Sequence, residues 1–174
     1  MTTIFDIETD GIAPFEKLNE RNEVRQVVEH RIISIGVMHV ERGICECFCG
    51  DDEADILRMF FAFIENENTL VGFNCEFDLN FIRVRTLVNN VKASVNFKSI
   101  CVVDLRNAIN NYKFAVGTLS DYAKALNLEV KTQNGEMMPF YFKEKNWLQI
   151  KNHNLEDVQL TLRLYQQCKG CGLI

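Results

Sequence analysis

Acidic side chains recur in three short runs of this chain, Asp6-Ile7-Glu8-Thr9, Asn74-Cys75-Glu76-Phe77-Asp78 and His153-Asn154-Leu155-Glu156-Asp157. Carboxylates are hard oxygen donors, so a set drawn from the three runs suits Mg²⁺ or Mn²⁺, which prefer oxygen, better than a thiophilic metal. In the first run Asp6 and Glu8 stand two apart on an apolar stretch that reads as a strand. That spacing puts both on one face and Phe5 and Ile7 on the other. Two solvated acids on an exposed strand would show the same pattern. The apolar, early character of this strand marks it instead as a sheet centre, where neighbouring like charges are costly unless a cation joins them.

In the second run a strand ends and a helix begins within a few residues, and Asp78 falls in the first helical turn. Read alone, it is an acid at a helix start, which the helix dipole favours by up to about 1 kcal/mol. Read with the first run, it faces Asp6 and Glu8 from a strand-to-helix junction. In the third run His153 and Asp157 are four apart, so a helix presents both on one face. A surface pair would have that spacing too.

The elements that must carry these residues follow from periodicity. Residues 2 to 8 read as a strand, as do 32 to 38 and 44 to 48, with Glu41-Arg42-Gly43 as the turn between the last two. Asp51 and Asp52 are expected to cap a helix through Leu57, Phe60, Phe61 and Ile64, followed by a strand over residues 70 to 73. Helical spacing resumes at Phe77, Phe81, Val84, Leu87 and Val88. A buried strand, Ile100 to Val103, then ends in Asp104. Short helices are expected near 105 to 112 and 118 to 127, and a long one from about Asn152 to Cys168. Trp147, Leu148 and Ile150 read as core at helical spacing. Residues 9 to 30 and 128 to 146 lack periodicity and hold both prolines, so they are expected as loops that shape a substrate site. Early strands with interleaved and then clustered helices indicate one α/β domain over residues 1 to 174, built on a mixed sheet.

With Asp6 and Glu8 in the first motif, Asn74-x-x-Phe77-Asp78 in the second and Asp157 in the third, the chain resembles the DEDD superfamily of 3′–5′ exonucleases over nearly its whole length. The runs Leu70-Val71-Gly72-Phe73-Asn74 and Leu155-x-Asp157-Val158-x-Leu160-Thr161 look most similar to stand-alone relatives of the proofreading domain of family B DNA polymerases. The resemblance implies a ribonuclease H-like fold with a five-stranded mixed sheet flanked by helices. It also implies two divalent ions about 4 Å apart. Asp6 would bridge them, Glu8 and Asp157 would hold one, and Asp78 would help to hold the other. One subclass of the superfamily carries histidine five positions before the last aspartate, and the other carries tyrosine four before it. Here a histidine, His153, stands at the tyrosine spacing, where it would accept the proton of the attacking water.

Composition narrows the function further. A net charge of −5 excludes broad phosphate neutralisation of the histone kind, while a carboxylate site balanced by its cations remains compatible with nucleic acid. The chain has neither a leader-like start nor a stretch long enough to span a bilayer. No membrane partner is therefore expected, and the expected location is intracellular, cytoplasmic or nucleoid-associated. Seven cysteines in no disulfide-like pattern read as free thiols. Cys45, Cys47 and Cys49 with Cys168-x-x-Cys171 form an alternative zinc set, although strand neighbours point in parallel rather than converging tetrahedrally.

The expected function is metal-dependent 3′–5′ hydrolysis of single-stranded DNA ends, in repair or proofreading, with RNA as the nearest alternative substrate. A catalytically inactive binding module and a structure-specific endonuclease of the same fold are the rival classes. Candidate substrate contacts are Thr9, Asn74, Phe77 and Phe81, the aromatic pair as stacking surfaces, with core packing as the alternative. Lys131, Lys143, Lys145 and Lys151 are candidate phosphate contacts. The partner is the 3′ end of a single strand, and the oligomeric state is unknown from sequence.

Overall fold

Alternate side chains of the first strand enter two different cores, which sets the architecture. The computed structural model describes residues 1–11, 27–110, 117–128 and 135–174. In β1 (Thr2–Thr9) Phe5 and Ile7 join one apolar cluster while Ile4 joins another. A strand buried on both faces belongs inside a sheet. β1 is indeed the middle of five, in the order β3-β2-β1-β4-β5. It pairs antiparallel with β2 (Ile32–His39), which pairs antiparallel with β3 (Ile44–Cys49). On its other side it runs parallel to β4 (Thr69–Gly72), which runs parallel to β5 (Cys101–Asp104). This is the mixed five-stranded sheet with flanking helices.

Helices α1 (Glu53–Phe63) and α2 (Cys75–Val88) supply Ile56, Leu57, Phe60, Phe61, Leu79, Phe81 and Ile82 to the cluster around Phe5. On the opposite face lie α3 (Leu105–Ile109), α4 (Leu119–Ala125) and the long α6 (Trp147–Gly170). There Leu105, Val158, Leu164, Tyr165 and Cys168 pack with Ile4 and Val71. Between the last two, α5 (Met138–Lys143) packs Met138 with Ile33 and Ile150 in a third, smaller cluster.

Several boundaries differ from the sequence reading. Asp52 alone is the N-cap of α1, accepting from the backbone N–H groups of Ala54 and Asp55, while Asp51 pairs with Lys145. Helix α6 starts at Trp147 rather than Asn152, because the Asn146 side chain caps it by accepting from the Gln149 N–H. His153 therefore sits inside the helix instead of opening it. Residues 138–143 are helical, not loop: Pro139 occupies the first turn, where its missing N–H costs nothing, and the burial of Met138 anchors the segment. Leu148 is 65% exposed and is no core residue, whereas Ile150 is fully buried. The expectations for residues 12–26, 111–116 and 129–134, Lys131 among them, lie outside the described residues.

Candidate active site

Asp6 and Glu8 continue the Ile4 face of β1 and so look toward α6, which lies across that side of the sheet. One turn of α6 presents His153, Asn154 and Asp157. His153 Nε2 stands 3.2 Å from Glu8 Oε1 and 3.7 Å from Asp157 Oδ2. Its side chain is 3% exposed, against 13% and 16% for the two acids. The ligand atoms of Glu8, His153 and Asp157 lie within 4.8 Å of one another. The end of β1 is irregular beside them, for the register slips between Glu8 and Thr9 so that Thr9 pairs with Ile32. Such a bulge re-aims side chains at a strand end.

Asp78 arrives from the other direction. β4 ends at Gly72, where a Cβ would lie 2.5 Å from Cys75 Cβ and 3.1 Å from the Phe5 carbonyl oxygen, so only glycine permits the turn into α2. Asn74, the residue before α2, takes a left-handed conformation with φ of 61°, which asparagine tolerates better than most residues. Asp104, at the end of β5, holds that junction. Its carboxylate accepts from the Asn74 N–H at 3.1 Å, the Glu76 N–H at 3.3 Å and, capping α3, the Asn107 N–H at 3.2 Å. The first turn of α2 is thereby fixed with Asp78 beside Asp6 and Glu8. Burial, then the charges of Asp6, Glu8, Asp104 and Asp157, hold the Asp78 carboxyl well above the usual carboxylate range. Adjacent carboxylates that resist ionising together are the electrostatic mark of a cation site.

Three of the acids, Asp6, Glu8 and Asp78, line a cleft of about 730 Å³. Asp6, Glu8, Thr9, Asn74, Phe77 and Asp78 of the predicted set all border it. His153 and Asp157 stand behind Glu8, and a Cβ at Gly135 would be 3.6 Å from His153 Nε2, so the segment at 135 roofs the histidine. Gly135, Glu136, Met138 and Pro139 form one wall, and Gly117, Thr118 and Leu119 part of the other. The two regions expected to shape the site do reach it, through Gly11 and through residues 135 to 139.

Phe81 does not reach it. It is fully buried in the Phe5 cluster with its ring centroid 5.7 Å from that of Phe77, and the packing alternative describes it. Lys145 is engaged by Asp51 at 2.7 Å on the surface, and neither Lys143 nor Lys151 borders the cleft. Among the described lining residues the one Lys or Arg is Arg106, which donates through Nη1 to Asn74 Oδ1 at 3.0 Å. The sequence reading passed over Arg106, and it placed Asp104 only as a strand end. It also missed Asn154, which is fully buried and donates through Nδ2 to Asp6 Oδ2 at 2.7 Å. A polar residue inside the buried stripe Ile150, Asn154, Val158, Thr161 was the available signal for that last one.

Four carboxylates and an imidazole, with no thiolate among them, form a donor set that fits Mg²⁺ or Mn²⁺. The cysteines do not compete. All seven are free thiols, and among the described residues the group able to hold a metal is Glu8, His153 and Asp157. Burial raises the Cys45, Cys75 and Cys168 thiols above their ordinary range.

The chain is 31% identical to the uncharacterized protein MJ0365 of Methanocaldococcus jannaschii, an alignment that covers 98% of this chain and 97% of that one. Its fold overlaps a solved structure described as yeast NOT1 MIF4G domain co-crystallized with CAF1, at 13% identity, 86% coverage of this chain, 80% of that one and a TM-score of 0.46. No helix among the described residues is long and apolar enough to cross a membrane. The RNase H superfamily model matches residues 3–169, and with a mixed sheet that carries acidic residues to one cleft, the chain belongs to that superfamily of typically hydrolytic nucleases.

Proposed function

We propose that the protein is a metal-dependent 3′–5′ exonuclease acting on single-stranded DNA, with RNA as the alternative polymer. The observation that carries this reading is that Asp6, Glu8 and Asp78 border one cleft while ligand atoms of His153 and Asp157 lie within 4.8 Å of that of Glu8, the five residues coming from one strand and two helices. Two bound divalent ions would lower the pKa of water and neutralise charge on the transferring phosphate. The chain's own residues do the rest. Asp6, Glu8, Asp78 and Asp157 supply the negative charge that draws cations into the cleft. His153, beside Glu8 and Asp157, would take up the proton of the attacking water once bound cations engage those two carboxylates.

A cleft of about 730 Å³ has the size of a small-ligand site, enough for a terminal nucleotide. Phe77 offers a partly exposed ring for base stacking, worth about 1–3 kcal/mol per base. Asn74 and Arg106 would contact the backbone or sugar of that nucleotide, and Arg106 is the one Lys or Arg among the described lining residues. Thr9 closes the end nearest Glu8. A role in repair or proofreading accords with this substrate class.

The test is degradation of 5′-labelled single-stranded DNA and RNA oligomers with Mg²⁺ or Mn²⁺, wild type against Asp6→Ala and His153→Ala. A ladder of shortening products that requires metal and disappears in Asp6→Ala establishes the reading, and the better-cut polymer names the substrate. Cleavage of circular single strands would convert it to an endonuclease. Tight metal binding without cleavage of either polymer would leave an inactive binding module.

A further inference from the structure

Asp6 on β1, Gly36 on β2 and Cys47 on β3 lie in one line across the sheet, paired Asp6 to Gly36 and Gly36 to Cys47. Gly36 leaves a gap in that line, and Asn154 of α6 fills it. A Cβ at Gly36 would come within 2.6 Å of Asn154 Oδ1 and 2.8 Å of Val158 Cγ2. The Asn154 side chain has no solvent exposure. Its Nδ2 donates to Asp6 Oδ2 at 2.7 Å, and its Oδ1 accepts from the Cys47 thiol at 3.5 Å.

From this geometry we infer that Asn154 is a positioning residue that fixes the carboxylate of Asp6, and that Cys47 steadies the amide from its oxygen end. The inference rests on the metal-binding part of the function proposed above. A carboxamide has one donor end and one acceptor end. The Asp6 carboxylate only accepts, so the NH₂ end is turned toward it, and the Cys47 thiol meets the oxygen end. With one Asp6 oxygen bound in this way, rotation of the carboxylate about its terminal bond is restrained. Partners of this kind set the orientation of a metal-binding carboxylate, and their loss typically lowers metal affinity or activity by about 10–100-fold. Asn154 does not itself border the cleft, so its influence on a bound ion passes through Asp6.

The experiment is Mn²⁺ binding to the full chain, followed by calorimetry and by loss of the free-ion electron paramagnetic resonance signal, beside a thermal melt of each variant. Asn154→Ala is expected to remain folded and to bind Mn²⁺ at least about tenfold more weakly. Cys47→Ala is the second, milder variant and should weaken binding by a smaller factor, which Cys47→Ser, retaining a donor, recovers. If Asn154→Ala unfolds, the Cys47 pair decides. Wild-type Mn²⁺ affinity in a folded Asn154→Ala, or in Cys47→Ala when that pair is the deciding one, overturns the inference. A wild type that binds Mn²⁺ but cuts neither polymer removes the exonuclease reading and leaves this one standing; a wild type that binds no Mn²⁺ removes both.

Discussion

Asp6 and Gly36 face each other across β1 and β2, and the glycine is what allows α6 to approach the acid closely. A β-carbon there would meet Asn154 and Val158 well inside contact distance. Strand sequences disfavour glycine, so its presence in the middle of a buried strand marks a close approach by another element.

Gly36→Ala is therefore expected to destabilise the fold by about 1–3 kcal/mol, the ordinary cost of overpacking a core. Urea denaturation checks it, and an unchanged midpoint would mean that α6 moves away without cost.

The Asp78 carboxyl, raised by burial and by Asp6, Glu8, Asp104 and Asp157, makes stability depend on pH in a definite direction. Its folded pKa exceeds the ordinary value of 3.8, so its contribution is whole below that value and is lost as pH rises through the folded one. In EDTA the site should thus destabilise the fold more at neutral than at mildly acid pH, and Mn²⁺ should raise Tm more at neutral pH. Asp78→Asn should increase the metal-free Tm at neutral pH by about 2–4 °C, the shift that corresponds to 1 kcal/mol in a chain of this size. Scanning calorimetry at two pH values with and without Mn²⁺ reads both effects.

Phe77 and Phe81 should separate cleanly. Phe81→Ala empties a fully buried site and is expected to cost about 3–5 kcal/mol of stability. Phe77→Ala should raise KM for a single-stranded oligomer about 5- to 150-fold, as the loss of one base stack implies, and change stability less. Equal stability losses would place Phe77 in the core as well.

Glu53 and Arg85 form a buried pair away from the cleft. Arg85 donates from Nε to Glu53 Oε1 at 2.9 Å and from Nη2 to Oε2 at 2.6 Å, while the Ile32 N–H and Asn89 Nδ2 donate to the same carboxylate at 2.7 Å each. Removing one partner leaves a buried charge uncompensated, so Arg85→Met is expected to cost about 3–5 kcal/mol. The double variant Glu53→Gln with Arg85→Met should recover part of that. A double-mutant cycle by chemical denaturation measures the recovery.

Much of the candidate site's placement was legible along the chain. Asp6 and Glu8 share a face because a strand has a period of two, His153 and Asp157 share one because a helix has a period near four, and the apolar strand around Asp6 did take the centre of the sheet. Helix ends were less legible. The cap at Asn146 is a single side-chain contact that periodicity does not register, so α6 read as shorter than it is. His30 and His39 lie beside Asp10 and Glu67 at 3.2 Å each through contacts between separate segments, which no local pattern registers.

Sequence alone determined which side chains share a face, because that depends only on the geometry of a single element. It could not determine depth or the neighbour across a gap. Phe77 and Phe81 lie four apart on the same side of α2, yet one borders the cleft and the other is sealed in the core. Asn154, Gly36 and Cys47 are far apart in the chain and meet only once β2, β3 and α6 have packed. Packing of whole elements, with its fixed distances, is what turns separate acids and amides into one site.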